Sequence, residues 1–239
     1  SISSRDVWDR VRFLSLGLRS LGLQLGDKLI ILGENSPDWV MTDFAAICAG
    51  ATTVPIYPTL MPEQGAAVQQ ITEAIERGSY EGFLLHGVTA SGKTEVYLRC
   101  IEQALAVEKS ALVLLPEIAI TTQVTNIFKS WFGDRVAILH SALSAGERCD
   151  EWAQVESGEA DVVIGARSAV FAPLEKLGLV VVDEEHESSY KQDVAPRYHA
   201  REAAAKRARD AGAALLLGSA TPCVESYYRA QSGEYTLLE

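Results

Sequence analysis

The sequence lacks an apolar run long enough to cross a membrane, and it lacks closely spaced cysteine pairs. Its longest apolar candidate, residues 44–61, is interrupted by two prolines and by polar threonines, whereas a membrane-spanning helix needs about 20 apolar residues. The cysteines lie far apart, and none forms a Cys-x-x-Cys pair: Cys48, Cys100, Cys149 and Cys223. These absences argue against a membrane span, a zinc site and a disulfide framework.

Positive charge is scarce as well. The chain has 21 Lys and Arg against 32 Asp and Glu, which gives a net charge of −11 at pH 7. A protein that binds nucleic acid over its whole surface is normally basic, so any such contact here must be local. The best candidate is segment 190–210, where six Lys and Arg are interleaved with aromatic residues. It could hold a single strand by stacking and phosphate contacts, or be a loop followed by a solvated helix face.

The remaining composition is that of a globular α/β protein. The 239 residues are 48% hydrophobic and 22% charged, which is enough for one or two domains with a sizeable core. Strand-like and helix-like runs alternate from residue 66 onward. The strands are expected near 82–86, 111–115, 135–139, 160–164, 178–182 and 213–218, and the helices near 66–78, 93–106, 118–131, 145–156, 199–211 and 222–231. This alternation predicts a mostly parallel sheet with helices on both faces.

A phosphate-binding octapeptide occupies residues 87–94, Gly-Val-Thr-Ala-Ser-Gly-Lys-Thr. It follows an apolar strand-like run and opens a helix-like run, the context that distinguishes a nucleotide-binding P-loop from a turn that binds nothing. Gly87 and Gly92 would let backbone N–H groups face phosphate oxygens at the helix N-terminus. Lys93 is then expected to neutralise the β- and γ-phosphates, and the Thr94 hydroxyl to ligate Mg²⁺.

An acidic cluster, Asp-Glu-Glu-His at 183–186, ends the buried strand-like run 178–182. Taken alone, such a cluster is more often a solvated turn. Downstream of a P-loop it predicts the second half of a nucleotide site, with Asp183 holding the metal and Glu184 orienting or deprotonating the attacking water. A third segment, Gly-Ser-Ala-Thr-Pro at 218–222, follows another apolar run and could link the nucleotide to a bound strand.

In this order, the three motifs resemble the first motor lobe of superfamily 2 helicases, and most closely that of the primosomal replication-restart helicases. Further segments carry the resemblance from about residue 60 to the end: 84–89, 115–121, 139–141, 165–173, 190–192 and 196–201. It implies a RecA-like P-loop NTPase lobe that uses ATP and Mg²⁺, in a cytoplasmic ATP-dependent DNA helicase. Single-stranded or forked DNA and other primosome proteins would be the partners of the full-length parent.

The resemblance also implies residue roles. His186 would couple the ATP site to Ser219 and Thr221. The aromatic-rich loop that couples DNA to hydrolysis would include Tyr190, Lys191, Arg197 and Tyr198. Gln64 would read the adenine edge, unless it is only a helix-surface residue. Arg167 fits a phosphate-backbone contact and a capping residue equally. Ala90 departs from the family, which usually has glycine there.

The first 60 residues have a different character. A helix-like run at 4–22 precedes strand-like runs at 28–32 and 51–57, with a second helix starting near 37. This segment resembles the N-terminal edge of AMP-forming acyl-CoA synthetases through residues 26–28, 32–39 and 54–60. The adenylate-binding signature of that family is absent from the chain, so no ligase activity is implied.

The two resemblances meet at Leu-Met-Pro-Glu-Gln, residues 60–64, and predict domains at 1–61 and 62–239. An engineered chimera, a sequence-assembly artefact or a natural fusion would produce such a join. The chain starts without Met and stops within the helicase pattern, which predicts that both ends are cut. Three functions follow: a helicase motor lobe, a nucleotide-binding module without turnover because the second lobe is missing, and the N-terminal piece of an acyl-adenylating enzyme.

Overall fold

The computed structural model describes residues 4–32, 37–56, 62–87 and 92–238. The interior of the P-loop, residues 88–91 with Ala90, and the junction at 57–61 lie outside the described residues. The chain divides into two compact units, Ser1–Leu60 and Met61–Glu239, which are described one after the other. Among the described helices, none combines the length and apolarity needed to cross a membrane.

The first unit is a small β–α–β arrangement preceded by a helix. It contains α1 (Ser4–Ser20), β1 (Lys28–Leu32), α2 (Pro37–Cys48) and β2 (Thr52–Ile56). The two strands are parallel, with Lys28 opposite Thr52. Between the helices, Val11 packs with Met41 and Ala45, as the apolar periodicity of α1 predicts.

The second unit alternates strands with helices, as predicted for an α/β lobe. Its elements are α3 (Pro62–Arg77), β3 (Glu81–His86), α4 (Lys93–Ala106), β4 (Ser110–Leu114), α5 (Thr122–Phe132), β5 (Val136–Leu139), α6 (Ala145–Glu156), β6 (Val162–Gly165), β7 (Leu177–Val182), α7 (Ala200–Ala211), β8 (Ala214–Ser219), α8 (Val224–Gln231) and β9 (Tyr235–Leu238). The sequence analysis missed only the last strand, a four-residue segment beyond the expected sheet.

These strands form one seven-stranded sheet in the order β5-β6-β4-β7-β8-β3-β9, and every pairing in it is parallel. Neighbouring side chains of a strand enter different core clusters. Val113 of β4 packs in the cluster that includes α3, α4 and α5, whereas Leu112 packs in the cluster that includes α7. Because successive side chains of a strand point to opposite faces, helices cover both faces of the sheet, as predicted.

The strand order brings the three nucleotide-binding motifs to one edge. Strand β8 pairs with β3 on one side and β7 on the other. The P-loop follows β3, the acidic cluster follows β7, and segment 218–222 overlaps the end of β8. Since the strands are parallel, all three lie at the carboxyl edge of the sheet, where ligands bind in open α/β folds.

Two glycines of this unit have opposite backbone requirements. Gly212 ends α7 in a left-handed conformation at φ 64°, and a Cβ built there would lie 2.6 Å from the Gly78 carbonyl oxygen. Gly146 lies in the first turn of α6, and a Cβ built there meets nothing within 4 Å. The same substitution should therefore have opposite effects at the two positions.

We expect Gly212→Ala to lower the free energy of unfolding by at least about 1–2 kcal/mol, because it adds left-handed strain to a backbone collision. Gly146→Ala, the matched control, should raise it by about 0.5–1 kcal/mol because alanine loses less backbone entropy in a helix. Urea unfolding followed by far-UV circular dichroism measures both changes. Equal midpoints for the two variants would contradict this assignment of α7 and its end.

Candidate nucleotide site and adjoining loop

Lys93 is the first residue of α4, and its ammonium group lies at the carboxyl edge of the sheet. The residue is only 9% exposed. Its Nζ donates to the Gly87 carbonyl oxygen at 2.9 Å and lies 3.6 Å from Glu184 Oε1. The structure thus brings the P-loop lysine to the acidic cluster, and this cation lies at a helix N-terminus, where backbone N–H groups already favour an anion.

Three further residues predicted to bind nucleotide lie at or beside the start of α4. Gly92 precedes α4 at φ 86°, and a Cβ built on it would collide with the Gln64 side-chain amide. Gln64 of α3 therefore lies against the P-loop glycine. Thr94, the second residue of α4, is exposed and accessible to a ligand.

Asp183 is fixed at the end of β7 by its main chain and its side chain. Its backbone N–H donates to the Leu114 carbonyl at 2.9 Å, and its Oδ1 accepts a hydrogen bond of 2.8 Å from the Tyr97 hydroxyl. Burial raises the pKa of Asp183 above its usual range; the Tyr97 bond opposes this rise and the Glu184 carboxylate adds to it. Burial, followed by the Asp183 carboxylate, holds the pKa of Tyr97 well above its usual value.

Glu184 combines a strained backbone with two polar neighbours, a lysine and a histidine. Its φ of 43° is in the left-handed region, which is uncommon for residues other than glycine. One carboxylate oxygen faces Lys93, and Oε2 lies 3.7 Å from His186 Nδ1. Strained residues of this kind persist where the surrounding structure holds them, and they concentrate at functional sites.

His186 contacts the segment that follows β8. Its Nδ1 lies 2.8 Å from Ser219 Oγ, and its Nε2 lies 3.5 Å from Thr221 Oγ1. Thr221 also donates its backbone N–H to Ser219 Oγ at 3.1 Å. The histidine, serine and threonine that sequence reasoning grouped as a link are therefore one hydrogen-bonded group, 33 or 35 residues apart in sequence.

The available oxygen donors fit a magnesium ion that is bound partly by the protein and partly by a phosphate. Thr94 and Asp183 supply a hydroxyl and a carboxylate oxygen, the hard donors that Mg²⁺ prefers. Within the described part of the chain, no group of three or more His, Cys, Asp or Glu side chains could hold a metal by itself. Mg²⁺ in nucleotide sites typically uses one or two carboxylates together with substrate phosphates and water, so a larger cluster is not required.

Sequence reasoning missed Glu185, whose fully buried carboxylate joins three elements. Its Oε2 accepts from Arg201 Nη1 of α7 at 2.9 Å and from Ser226 Oγ of α8 at 2.8 Å. Its Oε1 accepts from the Cys223 backbone N–H at 2.7 Å. In sequence, Glu185 looks like one more acid of a solvated cluster. The available signal was an arginine in the first turn of the predicted α7, which is insufficient without the fold.

The direction in which the pKa of Glu185 is shifted can be tested. Burial raises this pKa, but the hydrogen bonds from Cys223, Arg201 and Ser226 together outweigh burial and leave it below its usual value. A carboxylate with a depressed folded-state pKa stabilises the fold above its unfolded pKa of about 4.3. That contribution is lost as the pH falls through the lower, folded value.

We expect Glu185→Gln to destabilise the protein by several kcal/mol at pH 7, because it leaves the Arg201 charge largely buried without its partner. The loss of unfolding free energy on acidification below about pH 4.5 should also be smaller than in the wild type. Glu202→Gln removes a half-exposed carboxylate from Arg201 and should change stability by less than about 1 kcal/mol. Urea unfolding between pH 3 and 7 compares all three; equal acid sensitivity of wild type and Glu185→Gln would refute the role of Glu185.

The expectation that Tyr190 stacks on nucleic-acid bases is wrong for this structure. Its side chain is 1% exposed. Its hydroxyl donates to the Asp183 carbonyl oxygen at 2.7 Å and lies 3.1 Å from that of Leu114. Burial raises the pKa of this phenol far above its ordinary value. Tyr190 is therefore an internal anchor of the loop that follows the acidic cluster.

The other predicted loop residues lie nearer the surface. Tyr198 is partly buried and meets the exposed Phe171 ring edge-on, with centroids 5.1 Å apart. Lys191 is 67% exposed and lies 3.8 Å from the Asp193 carboxylate, while Arg197 Nε donates to the Asp193 carbonyl at 3.1 Å. These three side chains can meet a ligand from solvent, unlike Tyr190.

The six basic residues of segment 190–210 do not form one patch. Arg201 pairs with buried Glu185. Arg207 donates to the carbonyls of Val170 and Leu174. Lys206 and Arg209 pair with Asp210 and Glu234. Among these six, Lys191 and Arg197 remain as exposed loop cations, so the phosphate-binding capacity inferred from the count was too large.

Arg167 contacts the start of the loop that follows the acidic cluster. Its Nη1 donates to the carbonyl oxygens of Ser189 and Lys191, at 3.2 and 2.7 Å. Of the two interpretations that the sequence left open, this geometry matches the capping residue. Arg167 and Tyr190 together connect the loop to β6 and β7.

The parallel sheet and the lysine–carboxylate arrangement at its carboxyl edge define a P-loop nucleotide-binding lobe. The family model for DEAD/DEAH box helicase matches residues 61–229, and the chain belongs to this family. A second family model, AMP-binding enzyme, matches residues 1–74, which agrees with the resemblance of the N-terminal segment.

Within this helicase family, the chain is similar to replication restart proteins. The chain is 55% identical over 179 residues to the replication restart protein PriA of Bacillus subtilis, covering 75% of this chain and 22% of that protein. It is 49% identical over 205 residues to PriA of Treponema pallidum, covering 85% of this chain and 30% of that protein. The chain therefore spans about a quarter of the length of these relatives.

Solved structures agree on the fold. The crystal structure of the DUF1998 helicase MrfA bound to DNA and AMPPNP matches with a TM-score of 0.52 and 19% identity, over 74% of this chain and 26% of that one. At this identity the likeness concerns the fold alone.

Proposed function

We propose that residues 62–239 are the ATP-binding motor lobe of a DNA helicase of the replication-restart primosome. One observation carries this proposal: Lys93, Glu184 and His186 form a chain of contacts at one sheet edge, and the chain continues into Ser219. Over the aligned regions of 179 and 205 residues, this chain is 55% and 49% identical to two relatives named for replication restart. In the full-length parent, this lobe would couple ATP hydrolysis to movement along single-stranded or forked DNA, with other primosome proteins as partners.

Each residue of the site has a defined task in this proposal. Lys93 binds the β- and γ-phosphates, Gly87 and Gly92 shape the loop around them, and Gln64 reads the adenine. Thr94 and Asp183 would hold Mg²⁺, which supplies charge neutralisation at the phosphates. Glu184 orients the attacking water and accepts its proton. Through its contacts with Ser219 and Thr221, His186 couples the nucleotide site to the segment that follows β8.

ATP is the nucleotide we favour because a structure with the same fold, MrfA, binds the ATP analogue AMPPNP together with DNA. We further propose that the 239-residue chain binds nucleotide but hydrolyses it slowly. Superfamily 2 motors close their site with arginines from a second lobe, and an arginine of that kind contributes roughly 10³–10⁵ in rate. A nucleotide-binding module without turnover is therefore the second candidate for the isolated chain.

We propose a separate origin for residues 1–61. The match to AMP-binding enzymes covers this segment and overlaps the helicase match only at 61–74. The Ser/Thr/Gly-rich adenylate signature does not occur in the sequence. We assign no catalytic role to this segment, and we expect substitutions within it to leave nucleotide binding unchanged.

Lys93→Ala should weaken the binding of Mg-ADP and Mg-ATP by about 10- to 100-fold, because charge-assisted bonds to phosphate contribute about 1.5–3 kcal/mol. Lys129→Ala, which removes an exposed lysine from the last turn of α5, is the matched control and should bind like the wild type. Titration of a fluorescent ADP analogue measures both affinities. Equal affinities of wild type and Lys93→Ala would reject the nucleotide site.

Single-stranded DNA should bind weakly, with an affinity that falls steeply with salt. Lys191→Ala and Arg197→Ala should each flatten the plot of log K against log salt concentration by about 0.7, the value for one lost phosphate contact. Tyr198→Ala should instead weaken binding by roughly 1–3 kcal/mol at every salt concentration, as expected for a lost stacking contact.

Fluorescence anisotropy with a labelled oligonucleotide measures these changes. Lys206→Ala removes a lysine that is paired with Asp210 on α7 and serves as the control for a general loss of charge. If the loop variants and this control bind DNA equally, the loop is not the contact surface.

A further inference from the structure

A tyrosine that no motif includes reaches across the sheet to the acidic cluster. Tyr97 lies in α4, four residues after Lys93, and is 1% exposed. Its hydroxyl donates to Asp183 Oδ1 at 2.8 Å, although the two residues are 86 positions apart. One helix therefore presents the phosphate-binding lysine in its first turn and a hydrogen-bond donor to Asp183 in its second.

The strand between them is built to permit this contact. β8 separates β3, which leads into α4, from β7, which ends at Asp183. The register pairs Val182 with Leu217, so Gly218 is the residue of β8 level with Asp183. A Cβ at Gly218 would overlap the Tyr97 hydroxyl and would lie 3.4 Å from Asp183 Oδ1. The missing side chain at 218 is what leaves room for the phenol.

We propose that Tyr97 is a positioning residue whose hydroxyl holds the Asp183 carboxylate in the orientation that receives Mg²⁺ together with nucleotide. The inference rests on the proposed nucleotide site and adds a residue to it. With Oδ1 committed to Tyr97, the carboxylate is fixed about its last torsion and Oδ2 remains for the metal. A terminal carboxylate torsion is otherwise broad, so a fixed donor has an orientational effect here.

A buried tyrosine usually finds some hydrogen-bond partner, so the contact could be structural only. Its geometry argues for more. The partner is the carboxylate at the strand end, rather than a backbone carbonyl as in the case of Tyr190. The same helix also carries Lys93, whose Nζ lies 3.6 Å from the neighbouring Glu184. The positions of α4, the phosphate site and Asp183 are thereby linked through two turns of one helix.

The experiment compares affinities for a fluorescent ADP analogue in excess Mg²⁺ and in EDTA, using the full 239-residue chain. Tyr97→Phe should reduce the Mg²⁺-dependent gain in affinity about tenfold, while affinity in EDTA stays within twofold of the wild type. Gly218→Ala should cause a similar loss, and the double variant should be no worse than either single one, because both changes remove the same contact. Tyr228→Phe, an exposed tyrosine of α8, is the control.

The outcomes separate this inference from the proposed function. A Mg²⁺-dependent gain in Tyr97→Phe equal to that of the wild type overturns the positioning role. Equal losses in Mg²⁺ and in EDTA also overturn it, because they would reflect general damage to the site. If the wild type binds no nucleotide under either condition, the proposed function itself fails. Tyr97→Phe decides the question alone if Gly218→Ala does not fold.

Discussion

The parallel pairing of β8 between β3 and β7 is the constraint on which the site depends. It aligns the ends of three chain segments that are about 90 and 35 residues apart, and backbone hydrogen bonds extend the alignment beyond the strands. Gly87 N–H donates to the Ser219 carbonyl at 3.2 Å, and Glu185 N–H donates to the Gly218 carbonyl at 3.1 Å. The side chains at the site are consequently carried by main chain that is itself hydrogen-bonded, which reduces the reorganisation needed when a charged ligand arrives.

Adjacent carboxylates at the end of β7 have different environments and therefore different properties. Asp183 is partly buried with few donors, and its pKa is raised; Glu185 is fully buried with four donors from Arg201, Cys223 and Ser226, and its pKa is lowered. Glu184 between them faces Lys93 and His186. The three carboxylates therefore have different environments. Asp183 would be stabilised by a bound cation, Glu184 lies near Lys93, and Glu185 has its hydrogen-bonding capacity filled by protein donors. The identical residue type at 184 and 185 gives no hint of this division.

Sequence patterns predicted the elements and the motifs because both depend on local chemistry. Long apolar runs identified six strands of the sheet, and the spacing of glycines and lysine located the P-loop. Contacts between distant residues were not predictable in this way. Glu185 was given no role of its own, no motif included Tyr97, and Tyr190 was expected in the DNA-coupling loop, whereas their roles depend on partners up to 86 positions away. β9 was missed because four residues with two exposed or half-exposed positions carry almost no periodic signal.

The position of Tyr190 determines how the loop and the nucleotide site are connected. Its hydroxyl lies between the carbonyl of Asp183, which directly follows β7, and that of Leu114, the last residue of β4. Arg167 holds the same loop through the carbonyls of Ser189 and Lys191. A displacement of the exposed part of the loop that reached Tyr190 would have to break bonds to the peptide group of Asp183, because a buried phenol has no water to replace them. A movement of the loop therefore affects the Asp183 peptide group only if it displaces Tyr190. The exposed loop residues can change their contacts while the Tyr190 hydrogen bonds stay intact.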